Sequence, residues 1–200
     1  MKSSNIVLYL ALSIGFTLNA QKYRAELIFI DGTKMEGFAN LKSSDEIRFR
    51  RKREAQRQIY TFDEVDTLKI HYKYKSRVYV KVRIVNKDKP KVLELVDAGK
   101  RVHCYQDVFA GYGPPAMVLG TGFNESHMGR NHKVTNFYLR KPQQEEVTYL
   151  ASTDWLSKNF KKAASKFFSD CPRLVAKIQN RELKKKHFKQ IITYYNTQCK

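Results

Sequence analysis

Between residues 22 and 150 apolar and polar positions alternate in short runs. The clearest is Arg77–Val85 (RVYVKVRIV), with Val78, Val80, Val82 and Ile84 on one side and Tyr79, Lys81 and Arg83 on the other. That period of two marks a half-buried strand. Ala25–Ile30 runs into Asp31-Gly32 and resumes as Lys34–Leu41, a hairpin with a strong turn signal. Glu46–Arg51 and Gln58–Phe62, separated by polar residues 52–57, predict a second hairpin. Thr67–Tyr74, Lys91–Val96, Arg101–Gln106, Val134–Arg140 and Glu146–Leu150 complete the set. A mainly antiparallel β-sheet or partly closed barrel of about 7–10 short strands follows from this spacing.

Beyond residue 150 the period changes to about 3.6. Ser152 or Thr153 is placed to cap a helix with Asp154 in its first turn, and Leu156, Phe160, Ala163/Ala164 and Phe167 share one face beside Trp155. Asp170-Cys171-Pro172 marks a second helix start, with Leu174, Val175 and Ile178 as its apolar face. Phe188, Ile191, Ile192 and Tyr195 predict a third helix within Lys186–Asn196. The expected fold class is therefore α+β: a β-rich region over 21–150 and a C-terminal group of about three helices over 151–200.

One apolar run differs from the rest. Ile6–Leu18 (IVLYLALSIGFTL) is uncharged, follows Lys2, and leads to Leu18-Asn19-Ala20 before Gln21. This is the layout of a signal peptide over 1–20. The run falls short of the ~20 apolar residues of a membrane span, so an N-terminal anchor or buried helix is the weaker reading. No cysteine follows the expected cut to carry a lipid. The cleaved chain would keep a net charge of +18, because Lys2 alone is lost from the +19 of the full sequence. A field of that sign attracts anions. Outside the cell those are acidic polysaccharide or lipid head groups, and export lowers the prospect of nucleic acid.

Three cysteines remain: Cys104, Cys171 and Cys199. An exported protein can form disulfides, and an odd count leaves one thiol over. If the second and third helices fold back antiparallel, Cys171 and Cys199 meet at adjoining ends, which predicts a Cys171–Cys199 bridge. Cys104, on an alternating strand, reads as a small buried hydrophobe.

Residues 110–132 (AGYGPPAMVLGTGFNESHMGRNH) hold five glycines and two prolines and read as a long irregular loop. Glu125, His127 and His132 are its candidate metal ligands, with His103 and Cys104 just upstream. The histidine spacing lacks the HExxH arrangement, and no third ligand is fixed by spacing. Gly120-x-Gly122 opens no amphipathic helix, and neither a P-loop nor a G-x-S-x-G elbow occurs. The sequence calls for no cofactor. Lys73, Lys75, Arg77, Tyr79 and Lys81 interleave basic and aromatic side chains and form the candidate surface for anionic polymers.

Several short segments recur together in a known group. They are Asn19-Ala20-Gln21, Ile30-Asp31-Gly32-Thr33…Gly37, Ile47-Arg48-Phe49 and Tyr60-Thr61-Phe62-Asp63-Glu64-Val65. Leu93–Gly99, Phe137-Tyr138-Leu139-Arg140, Phe168-Ser169-Asp170-Cys171-Pro172 and Tyr194-Tyr195-Asn196…Cys199 follow in order. On these the chain resembles small exported proteins of Bacteroidota that carry no assigned activity. The resemblance implies β structure followed by helices and an envelope address, and it transfers no catalytic residue. The functional expectation is a non-enzymatic envelope protein in the periplasm or outside the cell, a basic binding or scaffold module. The alternatives are a hydrolase with a site around 103–132 and a binder of anionic polymers through the basic β face.

Overall fold

The structure, a computed structural model, describes residues 23–42, 45–112, 131–153 and 159–199, with the side chains of 110–112 and 131–132 outside that description. Among the described residues there are ten strands. The first five are β1 (Tyr23–Phe29), β2 (Lys34–Leu41), β3 (Ile47–Arg50), β4 (Gln58–Tyr60) and β5 (Val65–His71). The others are β6 (Ser76–Val82), β7 (Lys91–Ala98), β8 (His103–Tyr112), β9 (Asn131–Arg140) and β10 (Thr148–Ser152). They form one open antiparallel sheet in the order β10-β9-β8-β7-β6-β5-β1-β2-β3-β4. Three helices follow: α1 (Phe160–Phe167), α2 (Pro172–Gln179) and α3 (Phe188–Gln198), the last entered through a 3-10 turn at Lys185–His187. The α+β class expected from the two periodicities is the class observed.

The first hairpin turns where the sequence marks it. Gly32 N donates to Phe29 O and Phe29 N to Thr33 O, with Gly32 at φ +83°, a conformation that glycine adopts without steric cost. The connection from β4 to β5 shapes the whole N-terminal half. Four strand intervals separate these two strands in the sheet, about 19 Å if it were flat. Yet Thr61 O accepts from both Glu64 N and Val65 N, a tight turn that brings their ends together. The sheet therefore rolls, and Phe29 of β1 meets Tyr60 of β4 edge-on at 5.3 Å. Inside the roll sit Ala25, Leu27, Ala39, Ile47, Phe49, Phe62, Val65, Leu68 and Ile70. Gly37 lies under the Phe49 ring, where a Cβ would come within 2.6 Å of it.

The other half of the sheet stays open and is covered by the helices. Cys104 of β8 pairs with Leu139 of β9, and this face joins Phe160, Ala164, Phe167, Phe168, Leu174, Ile178, Phe188, Ile191, Ile192 and Tyr195 in a single core. The opposite face, starting from Tyr105 opposite Tyr138, holds a smaller cluster with Val82, Ile84, Leu93 and Val147. The change of period near residue 150 marks a change of element type, and the helices share their core with β8–β10.

Two expectations need correction. Ser152 belongs to β10, and Thr153 exchanges hydrogen bonds with Thr135, its backbone N donating to Thr135 O and its Oγ1 accepting from Thr135 N. Neither caps α1, which begins only at Phe160; the sheet takes these residues because β9 offers them backbone partners. The expected loop at 110–132 also starts too early. Ala110, Gly111 and Tyr112 pair with Lys133, His132 and Asn131, so both strands of this hairpin reach ten residues. Backbone pairing with one neighbour overrides weak strand propensity there. Residues 1–20, Trp155 and Leu156 lie outside the described residues.

α2 starts as expected, with Pro172 in its first turn, where a missing N–H costs nothing. Each helix is only 8 or 11 residues long, too short to persist without packing. Cys171 and Cys199 form a disulfide across 28 residues of sequence, their Cα atoms 5.6 Å apart, while Cys104 is buried and free. Replacing both bridged cysteines by serine is expected to lower stability to urea by about 3–4 kcal/mol, the loop-closure entropy of a ring this size. Peptide mapping of the unreduced protein should show one 171–199 cross-link and an alkylatable Cys104 only after unfolding.

Candidate functional site

The basic and aromatic residues grouped in sequence do not form one open face. Lys73 and Lys75 lie in the exposed β5–β6 turn, Lys73 over the Tyr74 ring at 5.1 Å. Arg77 lies 3.6 Å from Glu94 and 5.2 Å from the Tyr72 ring, and donates to Tyr79 Oη at 3.4 Å. Burial, helped by the neighbouring Tyr79, pushes the Tyr72 phenol up to about 12. Lys81 donates to Asp63 at 2.7 Å and approaches Asp45 at 3.5 Å. The bond to Asp63 is the main reason its amine titrates above the ordinary lysine range. The acidic turn at 63–66 is thus partly consumed in neutralising the strand behind it.

Other candidates separate in the same way. His103 and Cys104 are successive strand residues, so their side chains point to opposite faces of the sheet. Burial drives the Cys104 thiol up to about 12, which leaves it protonated and a poor nucleophile at neutral pH. Burial, then the nearby Arg140, lowers the His103 pKa. Glu125, His127 and the His132 side chain lie outside the described residues. Among the described residues no three His, Cys, Asp or Glu side chains converge as a metal site would require.

The sheet region is only partly neutralised, with 24 lysines and arginines against 16 carboxylates over residues 23–153. Across the sheet, Arg48, Lys69, Arg77, Lys81, Arg83 and Lys91 meet Glu46, Glu26, Glu94, Asp63, Glu145 and Asp107. Residues 159–199 carry ten lysines and arginines against two carboxylates. Both of those are engaged, Glu182 by Lys177 and Asp170 by Lys141. The helical cap therefore holds an excess of positive charge that its own acids cannot cancel.

Beside that cap lies a cleft of about 710 Å³, between the 185–193 segment and strands β7–β9. Phe137 of β9 and Phe188 of α3 stack at 4.3 Å and form its floor with Cys104 and Ile192. Lys185, Lys186 and Lys189 stand along its helical lip, and Asp97 lies on the sheet side. Helical spacing produces this split: Phe188 and Ile192, one turn apart, turn inward, while Lys189 and Thr193 remain exposed. His187 accepts from Lys184 N at 3.3 Å and closes the turn that presents the lysines.

The position of α3 is set at its far end. Tyr195 Oη donates to Asp170 at 2.5 Å, and Lys141 donates to the other carboxylate oxygen at 2.9 Å. Arg101 stacks over the Tyr195 ring at 5.4 Å. Asn196 Oδ1 accepts from the backbone N of Arg101 and Val102, at 3.0 and 3.1 Å. Gly99 leaves room for this amide, since a Cβ there would lie 2.0 Å from Asn196 Nδ2. Sequence spacing assigned no role to Gly99, Asp170, Tyr195 or Asn196 in this arrangement.

Compared with known proteins, the chain matches no family model, no curated protein and no solved structure.

Burial opposes ionisation of Asp170 more than any other single influence, but the bonds from Tyr195 and Lys141 outweigh it and hold its pKa below the ordinary value. A depressed carboxylate pKa stabilises the fold above the unfolded value near 3.8 and loses that share as pH falls through the folded one. Asp170→Asn should therefore cost about 1–2 kcal/mol at pH 7, less than a fully buried ion pair because the side chain is partly exposed. In urea titrations the deficit should shrink as the pH is lowered below 3.8. Gly99→Ala should destabilise by about 1–3 kcal/mol through the displaced Asn196, leaving two amides without their acceptor.

Proposed function

We propose that this chain is an exported, non-enzymatic envelope protein that binds anionic envelope components through its helical cap. The observation that carries this reading is the charge imbalance of residues 159–199, ten cations against two carboxylates already in use. In this reading the binding surface is the turn and helix at 184–189, a choice supported by the carboxylates that Arg77 and Lys81 face on the β5–β6 strands. A lysine near an anionic surface contributes about 1 kcal/mol, so a handful acting together suffices for salt-sensitive adhesion.

Export is supported by the apolar run at 6–18 with its small-residue exit, and the Cys171–Cys199 disulfide is compatible with an oxidising compartment. Among the described residues no helix is long and apolar enough to cross a membrane. The protonated, buried Cys104 and its opposition to His103 across the sheet weigh against a thiol hydrolase at this position.

Retention on immobilised heparin and co-sedimentation with phosphatidylglycerol vesicles test the reading. Both should fall steeply between low and physiological salt. Lys185→Glu/Lys186→Glu/Lys189→Glu should weaken them at least tenfold, whereas Lys73→Glu/Lys75→Glu should change them less than threefold. The reverse ranking would return the surface to the strands, and binding insensitive to salt would sink the proposal.

A further inference from the structure

We propose that the cavity in the fork between β7 and β8 binds a single neutral sugar ring, held through its hydroxyl groups by Arg77, Lys91, Glu94 and Asp107. This site is separate from the helical cap and rests on different observations. β7 and β8 pair from Ala98 to Glu94 and then part. Lys91–Leu93 continue along β6, and Asp107–Tyr112 along β9. Tyr79 and Val92 turn with the rolled core, while β8 stays with the half under the helices. The fork leaves a cavity of about 320 Å³, near the small end of the ~300–1,000 Å³ range of small-molecule sites.

The charged lining of this cavity balances, in a chain of net charge +19. Arg77 faces Glu94 and Lys91 faces Asp107, so neither an anion nor a cation is called for. The pairs still leave bonding capacity. Glu94 accepts one hydrogen bond, from Gln106, and Asp107 one, from Lys91, whereas a carboxylate has about four acceptor sites. Among the described residues Arg77 donates only to Tyr79 Oη, at 3.4 Å. Its Nε is buried without a hydrogen-bond acceptor among those residues, since Glu94 at 3.6 Å lies beyond bonding distance. A buried donor of that kind calls for an acceptor.

A hydroxyl group both donates and accepts, so a sugar uses these spare sites without breaking either ion pair. A zwitterion such as an amino acid would have to separate both pairs, which leaves each charge to be compensated anew. Leu41, Val92 and Val108 line the same cavity and suit the C–H face of a sugar ring. Leu41 and Val92 are half-buried and Val108 is 37% exposed, so apolar surface remains for a ligand to cover. The polar groups are set in advance: Gln106 holds Glu94, and Arg77 lies over the Tyr72 ring at 5.2 Å. Fixed partners spare the ligand the cost of ordering them.

Ligand-observed NMR titration of the full chain with D-glucose, D-galactose, D-mannose and N-acetyl-D-glucosamine tests this. At least one should bind with a dissociation constant of about 1 mM or tighter, the strength expected of so small a ligand. D-glucuronate and L-serine should each bind at least fivefold more weakly than the best neutral sugar. Val108→Trp fills the cavity from its exposed side and should weaken that sugar at least tenfold, with heparin retention unchanged. Glu94→Gln keeps the side-chain shape but leaves Arg77 uncompensated, and should reverse the preference towards D-glucuronate. Lys185→Glu/Lys186→Glu/Lys189→Glu should leave sugar binding unchanged while weakening heparin, which keeps the two readings separable. A free sugar and the end of a glycan share this chemistry: exclusion of maltose would identify the first, and equal binding of maltose the second. Absence of binding by all four neutral sugars would overturn the inference. So would tighter binding of D-glucuronate or L-serine by the unsubstituted protein, or sugar binding that Val108→Trp leaves unchanged.

Discussion

The Asp170 carboxylate is the interaction on which the helical half depends. It accepts from Tyr195 of α3 and from Lys141 at the end of β9, so one side chain joins the α1–α2 junction, the last helix and the sheet. The disulfide at the next residue ties the start of α2 to the end of α3. Helices of 8 to 11 residues have little stability of their own, and their persistence comes from being pinned and packed. The cleft follows from this anchoring. With α3 fixed at Tyr195 and Asn196, its first turn is carried over the open side of β8–β9, and Phe188 lands on Phe137.

The sheet solves two problems with one set of strands. Its first half rolls until β1 and β4 touch and encloses a core of its own, with Tyr79 of β6 and Val92 of β7 packed against it. Its second half cannot roll in the same way, because the helices occupy that face. Charge follows the same division. Strand cations find carboxylates on neighbouring strands and turns at 2.5–4.0 Å. The helical cap was left with too few acids to do so. The cap packs a net +8 into 41 residues, whereas residues 23–153 spread the same excess over about three times that length.

Much of this was legible in the residues, for reasons that differ by element. Strands alternate because one face of each is buried, so Val78, Val80 and Val82 announce β6 locally. Cys171 and Cys199 announced their bridge because proline and apolar spacing located both helix ends. The start of α1 was misread because Ser152 and Thr153 carry the side chains of a helix cap, and only the proximity of Thr135 made them a strand end. The ends of the β8–β9 hairpin were misread because Gly111 has no strand preference, and pairing over ten residues supplied one. The neighbours of the candidate anion face were hidden for a similar reason: Arg77, Tyr79 and Lys81 share a face of β6, and Glu94, Asp45 and Asp63 reach it from elsewhere in the chain.

The sequence by itself determined the element types, their order, the cysteine pairing and the sign of the charge. The element types follow from local period, the charge from composition, and the pairing from two helix ends that local signals mark 28 residues apart. The tertiary structure decided which cations remain available, where an apolar floor meets a cationic lip, and what Asp170, Asn196 and Gly99 are for. Those depend on partners up to 95 residues apart, such as Arg101 and Asn196. Contacts at that separation exist only once the chain has folded, because no local pattern encodes which distant carboxylate or amide will arrive.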